Sequence, residues 1–302
     1  MNIAVKIGSL TLKNPITVAS GTAGYGEELS QFLNLSELGA IFTKGLSLDP
    51  REGNKGHRII ETPSGVLNSI GLQNVGLKFF IEDKLPFLLN KGAVVIPNIA
   101  GHSINENVEM CRILSGIEGI PAVELNVSCP NVEQGGMAFG RDINTFTELI
   151  SKVRNVTKGV LIVKLSPNVT DITEFARRAK DLGVDAVSAI NTVLGMKVDI
   201  KTRKPYFNRT FAGLSGPAIR PIAVRIVYEI FEKVDIPIIG LGGISCIDDV
   251  LEFIMAGASA VSIGTLNLVN PKVAQDCISA ITGYMKAEKI YNISELVGIA
   301  HR

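Results

Sequence analysis

The sequence predicts an α/β fold in which eight parallel strands close into a (β/α)8 barrel, and three observations carry that prediction. Eight short runs rich in β-branched and apolar residues recur, each separated from the next by a helical pattern. The length of 302 residues suits one barrel of about 250 residues with additions better than two independent units. An apolar fraction of 46% and a mean hydropathy of +0.29 suit strands that are buried on both faces. The expected organisation is a single domain over residues 1–302, with an N-terminal β-hairpin and loop insertions at the C-terminal face.

The elements follow in chain order. Residues 3–7 and 10–13, with Gly8-Ser9 between them, read as a hairpin that plugs the bottom of the barrel. The eight barrel runs are residues 16–20, 40–44, 93–98, 122–127, 160–165, 186–191, 236–240 and 260–263. Among the intervening helices, residues 171–182 form the clearest amphipathic pattern. No linker, low-complexity tract or longer repeat interrupts the βα alternation.

Composition excludes several classes. Thirty basic and 29 acidic residues, mixed along the chain, leave a net charge of +1, so neither nucleic acid nor an anionic membrane surface is an expected partner. The longest uncharged stretch, residues 253–271, is broken by Gly257, Ser259, Ser262, Gly264 and Asn267. It reads as helix end, turn and strand rather than a membrane span. Lys6 and Lys13 flank short alternating segments, which is not the pattern of a signal peptide. The four cysteines show no cluster-ligand spacing; no disulfide framework, iron–sulfur site or other metal site is expected within the chain, and a cytoplasmic location is.

The chemistry concentrates at strand ends. The run Glu124-Leu-Asn-Val-Ser-Cys-Pro-Asn131 leads from a buried strand into a loop carrying Gly135-Gly136 and Phe139-Gly140, and it sets Cys129 at the handover. None of the three histidines lies in such a motif, so proton chemistry falls to the thiol. Lys44, Asn98, Asn126, Lys164 and Asn191-Thr192 end the second to sixth runs. One polar strand end is usually satisfied by loop backbone; five converging on one barrel mouth point to a site. Two lysines there are costly unless each meets an anion, either a ligand or a barrel carboxylate, of which Glu124 is the main candidate. Asparagine amides present a donor and an acceptor, which matches the alternating N–H and C=O groups of a pyrimidine.

Glycines supply the other half of the site. Ser215-Gly216-Pro217 opens a helix with Ser215 as its expected cap; Gly242-Gly243 and Gly264-Thr265 follow the seventh and eighth runs. Bare backbone N–H groups in these loops suit a phosphate. In Asn68-Ser-Ile-Gly-Leu-Gln-Asn74, Gly71 lets backbone approach a ligand closely, although on composition an ordinary loop before a helix fits equally well.

With these segments in view, the chain resembles the catalytic subunit of class I dihydroorotate dehydrogenases of the B type, which are TIM barrels. The resemblance runs from the hairpin to about Pro271 and rests on Lys44-Gly45, Asn68-Ser-Ile-Gly-Leu72, Asn126-Val-Ser-Cys-Pro-Asn131, Gly135-Gly136 with Phe139-Gly140, Lys164-Leu-Ser-Pro-Asn168, Asn191-Thr192, Lys201-Thr-Arg203, Gly213-Leu-Ser-Gly-Pro217, Gly242-Gly243 and Gly264-Thr265. It implies FMN as cofactor, held by Ser20, Lys44, Gly45, Asn98, Asn126, Lys164, Ile190, Gly216, Gly242, Gly243, Gly264 and Thr265. It implies dihydroorotate as substrate, contacted by Lys44, Asn68, Ser69, Ile70, Gly71, Leu72, Asn126, Asn191 and Thr192. In this family Cys129 would be the general base and Lys164 would stabilise the reduced flavin.

The resemblance also implies a partner subunit carrying FAD and a 2Fe–2S cluster, NAD+ as the final acceptor, and a homodimer within a heterotetramer. The membrane extension of class II relatives is not expected. Phe211-Ala212-Gly213 departs slightly from a more glycine-rich family pattern, and the tail after Pro271 matches weakly. Alternatives are a flavin-dependent reductase of uracil-like or tRNA pyrimidines, an electron-transfer flavoprotein without substrate chemistry, and a sugar-phosphate isomerase barrel.

Overall fold

A computed structural model describes the backbone of residues 1–128, 130–131 and 137–302, and the side chains of residues 1–128 and 139–302. Cys129, Gly135 and Gly136, singled out by sequence, lie outside the described residues.

The eight expected strands form. They are β1 (Ile16–Val18), β2 (Ala40–Phe42), β3 in two pieces (Val95–Ile96 and Asn98–Ile99), β4 (Ala122–Asn126), β5 (Val160–Lys164), β6 (Ala186–Ala189), β7 (Ile238–Gly240) and β8 (Ala260–Ile263). Each pairs in parallel with the next, and β8 returns to β1 with Val261 opposite Ile16. Proline has no N–H to give a ladder, and Pro97 splits β3 into a piece paired with β2 and a piece paired with β4. The sheet therefore begins and ends on the same strand, which closes the TIM barrel.

Several strands stop short of the residues that matter chemically. β1 ends at Val18, β2 at Phe42 and β6 at Ala189, so Ser20, Lys44 and Asn191 lie just past the ladder, where the chain turns into the mouth. Within the ladder, Ile16, Val18, Ile41, Val95, Leu161, Val163, Val187, Ile239 and Val261 are fully buried. Each such side chain contributes about 1.5–3 kcal/mol relative to exposure.

The hairpin pairs Val5–Ile7 with Leu10–Leu12 and buries Ile7 and Leu12. At Gly8 a Cβ would lie 2.9 Å from Cβ of Asp185, the residue just before β6, so the hairpin sits at the N-terminal end of the barrel as expected. The outer helices are capped by their own sequence. Ser103, Asp142 and Asp171 accept from the backbone N–H groups of Glu106, Thr145 and Thr173 at the starts of Ile104–Leu114, Ile143–Val156 and Ile172–Asp181. The last of these buries Ile172, Phe175, Ala176 and Ala179 on one face.

Over the C-terminal end lies a four-stranded antiparallel sheet, in the order Val193–Gly195, Ala212–Ser215, Gly65–Asn68 and Ile59–Thr62. These are the loop insertions, but their pairing was not anticipated: Asn68 ends a strand rather than opening a free loop. No helix among the described residues is long and apolar enough to cross a membrane.

Candidate active site

A cavity of about 300 Å3 opens at the C-terminal ends of the barrel strands. It gathers Ser20, Lys44, Gly45, Asn98, Asn126, Lys164, Ile190, Asn191 and Thr192 from the strand ends, Gly216, Gly242, Gly243, Gly264 and Thr265 from the late loops, and Asn68, Ile70 and Leu72 from the covering sheet and the chain after it. Ser69 and Gly71 do not line it. Ser69 accepts from Asn54 Nδ2 at 3.0 Å, and Gly71 (φ 76°) sits where a Cβ would overlap Asn54.

Among the described residues the two lysines form no ion pair with a carboxylate. Lys164, 6% exposed, donates to Ser20 Oγ at 3.3 Å. Burial pulls the Lys44 pKa below the ordinary lysine value; Glu28 pulls it back and Arg58 pushes it further down. Glu124, the carboxylate considered as their partner, is engaged elsewhere. It accepts from Asn98 Nδ2 and, at 2.6 Å, from Ser188 Oγ. Among the described residues, then, no carboxylate neutralises the lysines, an arrangement that suits an anionic ligand.

The asparagines orient one another. Asn126 Oδ1 accepts from Asn191 Nδ2 at 3.2 Å and from the N–H of Ser128 at 3.1 Å. Asn191 Oδ1 accepts from the N–H of Thr192, and Asn68 Nδ2 donates to the Gly213 carbonyl. Asn126 and Asn68 thus commit one end of the amide to the protein and Asn191 commits both, so the polarity each offers a ligand is fixed.

On the opposite wall, Gly216 (φ 99°), Gly242 (φ 135°) and Gly243 (φ 81°) adopt conformations open to glycine. A Cβ at Gly243 would lie 2.7 Å from Arg220 Cβ and 2.8 Å from the Gly216 carbonyl, so the two loops are packed against each other. Ser215 does not cap the helix. It ends a strand, its hydroxyl accepts from Thr265 Oγ1 at 2.9 Å, and Gly216 occupies the cap position with no side-chain bond, ahead of Pro217. Arg220 is engaged by Asp249 and Glu252, which leaves backbone N–H groups as the anion donors of these loops.

Two buried polar atoms of cavity-lining residues, Asn98 Oδ1 and Ser262 Oγ, have no partner among the described residues. Together with the glycine cradle and the lysines, they fit the phosphate-bearing flavin expected from the resemblance. Ser262 and Gln73 are lining residues that sequence reasoning missed. For Ser262 the available signal was a hydroxyl inside an otherwise apolar strand, two residues before Gly264. Burial pushes the thiols of Cys111 and Cys277 up to about 12, which removes both as bases near neutral pH.

Comparison with known proteins agrees with this geometry. The family model described as dihydroorotate dehydrogenase matches residues 2–285. A protein of Desulforamulus reducens named dihydroorotate dehydrogenase B (NAD(+)), catalytic subunit, is 51% identical over 301 residues, covering 100% of this chain and 99% of its own. Proteins of the same name from Thermoanaerobacter pseudethanolicus and Trichlorobacter lovleyi are 51% and 48% identical, over 99% and 98% of this chain and 98% and 97% of their own. The chain belongs to the dihydroorotate dehydrogenase family.

Proposed function

We propose that this chain is the catalytic subunit of a B-type dihydroorotate dehydrogenase, a single FMN-binding barrel that oxidises dihydroorotate to orotate in pyrimidine synthesis. The observation that carries this reading is a cavity holding two lysines without an ion-pair partner among the described residues, a set of oriented asparagines and a glycine cradle. Family membership brings a flavin; its identity as FMN is supported by late glycine loops that suit one terminal phosphate.

When bound, the flavin supplies the acceptor for the hydride leaving C6 of the substrate. The chain does the rest. Asn68, Asn126, Asn191 and Thr192 hold the pyrimidine ring by its alternating donors and acceptors, with Ile70 and Leu72 lining the cavity beside them and Ser69 and Gly71 shaping that segment from behind. Protonated Lys44 meets the carboxylate, and Cys129 takes the proton from C5. Lys164, among the least exposed charges of the cavity, stabilises negative charge on the reduced ring. Ser20, Gly45, Asn98, Ile190, Gly216, Gly242, Gly243, Gly264 and Thr265 hold the cofactor.

The electrons then pass to a partner subunit with FAD and a 2Fe–2S cluster, and on to NAD+, in a heterotetramer built on a homodimer in the cytoplasm. The relatives' name supports a partner, since each is a catalytic subunit. Ile59 and Leu268, both exposed and both lining the cavity, provide apolar surface next to the flavin for such a contact. Denaturing the purified chain should release FMN; with dihydroorotate the chain should reduce artificial dyes, and NAD+ only after the partner is added. Release of FAD, or steady NAD+ reduction by the chain alone, overturns the reading. Fast turnover with fumarate would move the chain to the A type.

A further inference from the structure

Glu124 is 2% exposed in the barrel interior, directly beside Asn98 in the ladder between β3 and β4, and it has no cation within ion-pair distance among the described residues. Burying a carboxylate this way costs free energy that a leucine would not, so a use should be visible nearby. The side chain is held from two directions, by the Ser188 hydroxyl and by the Asn98 amide nitrogen, while its backbone N–H donates to the Pro97 carbonyl at 2.9 Å. A carboxylate only accepts hydrogen bonds, so it draws the NH2 end of Asn98 toward itself. The carbonyl end must then point the other way. Asn98 is 1% exposed, its Oδ1 has no partner among the described residues, and that atom lies 3.0 Å from where a Cβ of Gly45 would stand; Asn98 and Gly45 both line the cavity.

We infer that Glu124 is a positioning residue: it turns the Asn98 amide so that its carbonyl faces the cavity as the acceptor for an N–H of the bound flavin. The oxidised isoalloxazine ring carries one N–H, at N3, flanked by two carbonyls, so the matching donor is N3–H. An amide turned the other way would present NH2 to that N–H and leave Oδ1 against a carboxylate. Glu124 thus sets the polarity of a flavin contact that it does not itself make. The inference rests on the flavin reading above.

The test uses the full chain stripped of flavin and titrated with FMN and with N3-methyl-FMN, followed by fluorescence quenching. The wild type should prefer FMN by about two- to tenfold, the value of one hydrogen bond. Glu124→Leu, of similar volume, frees the Asn98 amide and should bring the preference close to one. Glu124→Gln should retain it, because the new carbonyl still accepts from Asn98 while the new NH2 meets Ser188 Oγ. A Glu124→Leu variant that keeps the wild-type preference, or a wild type with none, overturns the inference. If Glu124→Leu does not fold, FMN with an isotope label at N3 decides on the wild type and Glu124→Gln. A slowly exchanging N3 proton is expected in both, and one in rapid exchange with water overturns the inference. Failure to bind either flavin would strike the functional reading, whereas equal binding of both strikes only the role of Glu124.

Discussion

The two ends of the barrel treat their buried polar atoms differently. At the bottom, Asn14 is 2% exposed and uses both ends of its amide within the chain, donating to the Glu37 carbonyl and accepting from the N–H of Ile16. Asp185, beneath β6, accepts from Arg154 and from the N–H of Leu161, each at 2.8 Å. At the mouth, among the described residues, Lys44 and Lys164 have no carboxylate partner and Asn98 Oδ1 and Ser262 Oγ are buried without a hydrogen-bond partner. Both ends consist of strand termini and turns on one scaffold. The bottom is closed by the chain's own bonds and serves stability, while the mouth keeps donors, acceptors and charges directed at a ligand.

If that contrast is right, substitutions at the two ends should fail in different ways. The largest effect is expected for Cys129→Ala, which should keep its flavin yet slow flavin reduction by dihydroorotate by about 10²–10⁴, the usual loss for a general base. Near-normal stopped-flow reduction in that variant would remove Cys129 from the mechanism. Next comes Gly243→Val. Its backbone at φ 81° and the contacts with Arg220 and the Gly216 carbonyl leave no room for a side chain. Strain of about 1–3 kcal/mol should weaken FMN binding roughly ten- to a hundredfold, measured by titration of the flavin-free protein.

Asn14→Ala should do the reverse. It strands the Glu37 carbonyl and the Ile16 N–H, lowering the free energy of unfolding by about 1–3 kcal/mol while the rate of flavin reduction stays at the wild-type value. A kinetic defect there would blur the distinction between the two ends. The smallest effect concerns pH. Burial lowers the Lys44 pKa, so its charge is fully present below that value and is lost as pH rises through it, earlier than for an exposed lysine. Orotate affinity should therefore decline on the alkaline side, and Lys44→Met should bind more weakly and lose that component of the pH dependence. An unchanged profile in the variant would detach Lys44 from the carboxylate.

The barrel was legible in the sequence because its strands are buried on both faces, and apolar β-branched runs between amphipathic helices mark them plainly. Lys44, Asn98, Asn126, Lys164 and Asn191 were legible because a polar residue at the end of such a run has few other reasons to be there. The covering sheet was not. Its strands are short and partly exposed, and they pair across a separation such as that of Asn68 and Gly213, which no local pattern encodes. Ser215 misled for a related reason: as a helix cap it is locally sensible, but a distant Thr265 claims its hydroxyl. Its charge makes Glu124 the main carboxylate candidate for the lysines in the sequence, whereas the fold gives it to Asn98 and Ser188, neighbours on other strands.

The central claim is that this mouth, with its own flavin, carries out the oxidation before any partner is involved. The most direct test is anaerobic addition of dihydroorotate to the purified, FMN-loaded chain alone, with the visible flavin band and orotate followed together. The account predicts prompt bleaching, one orotate formed per flavin reduced, and return of the colour when an acceptor is admitted. A flavin that stays bound and yellow in the presence of dihydroorotate would contradict it.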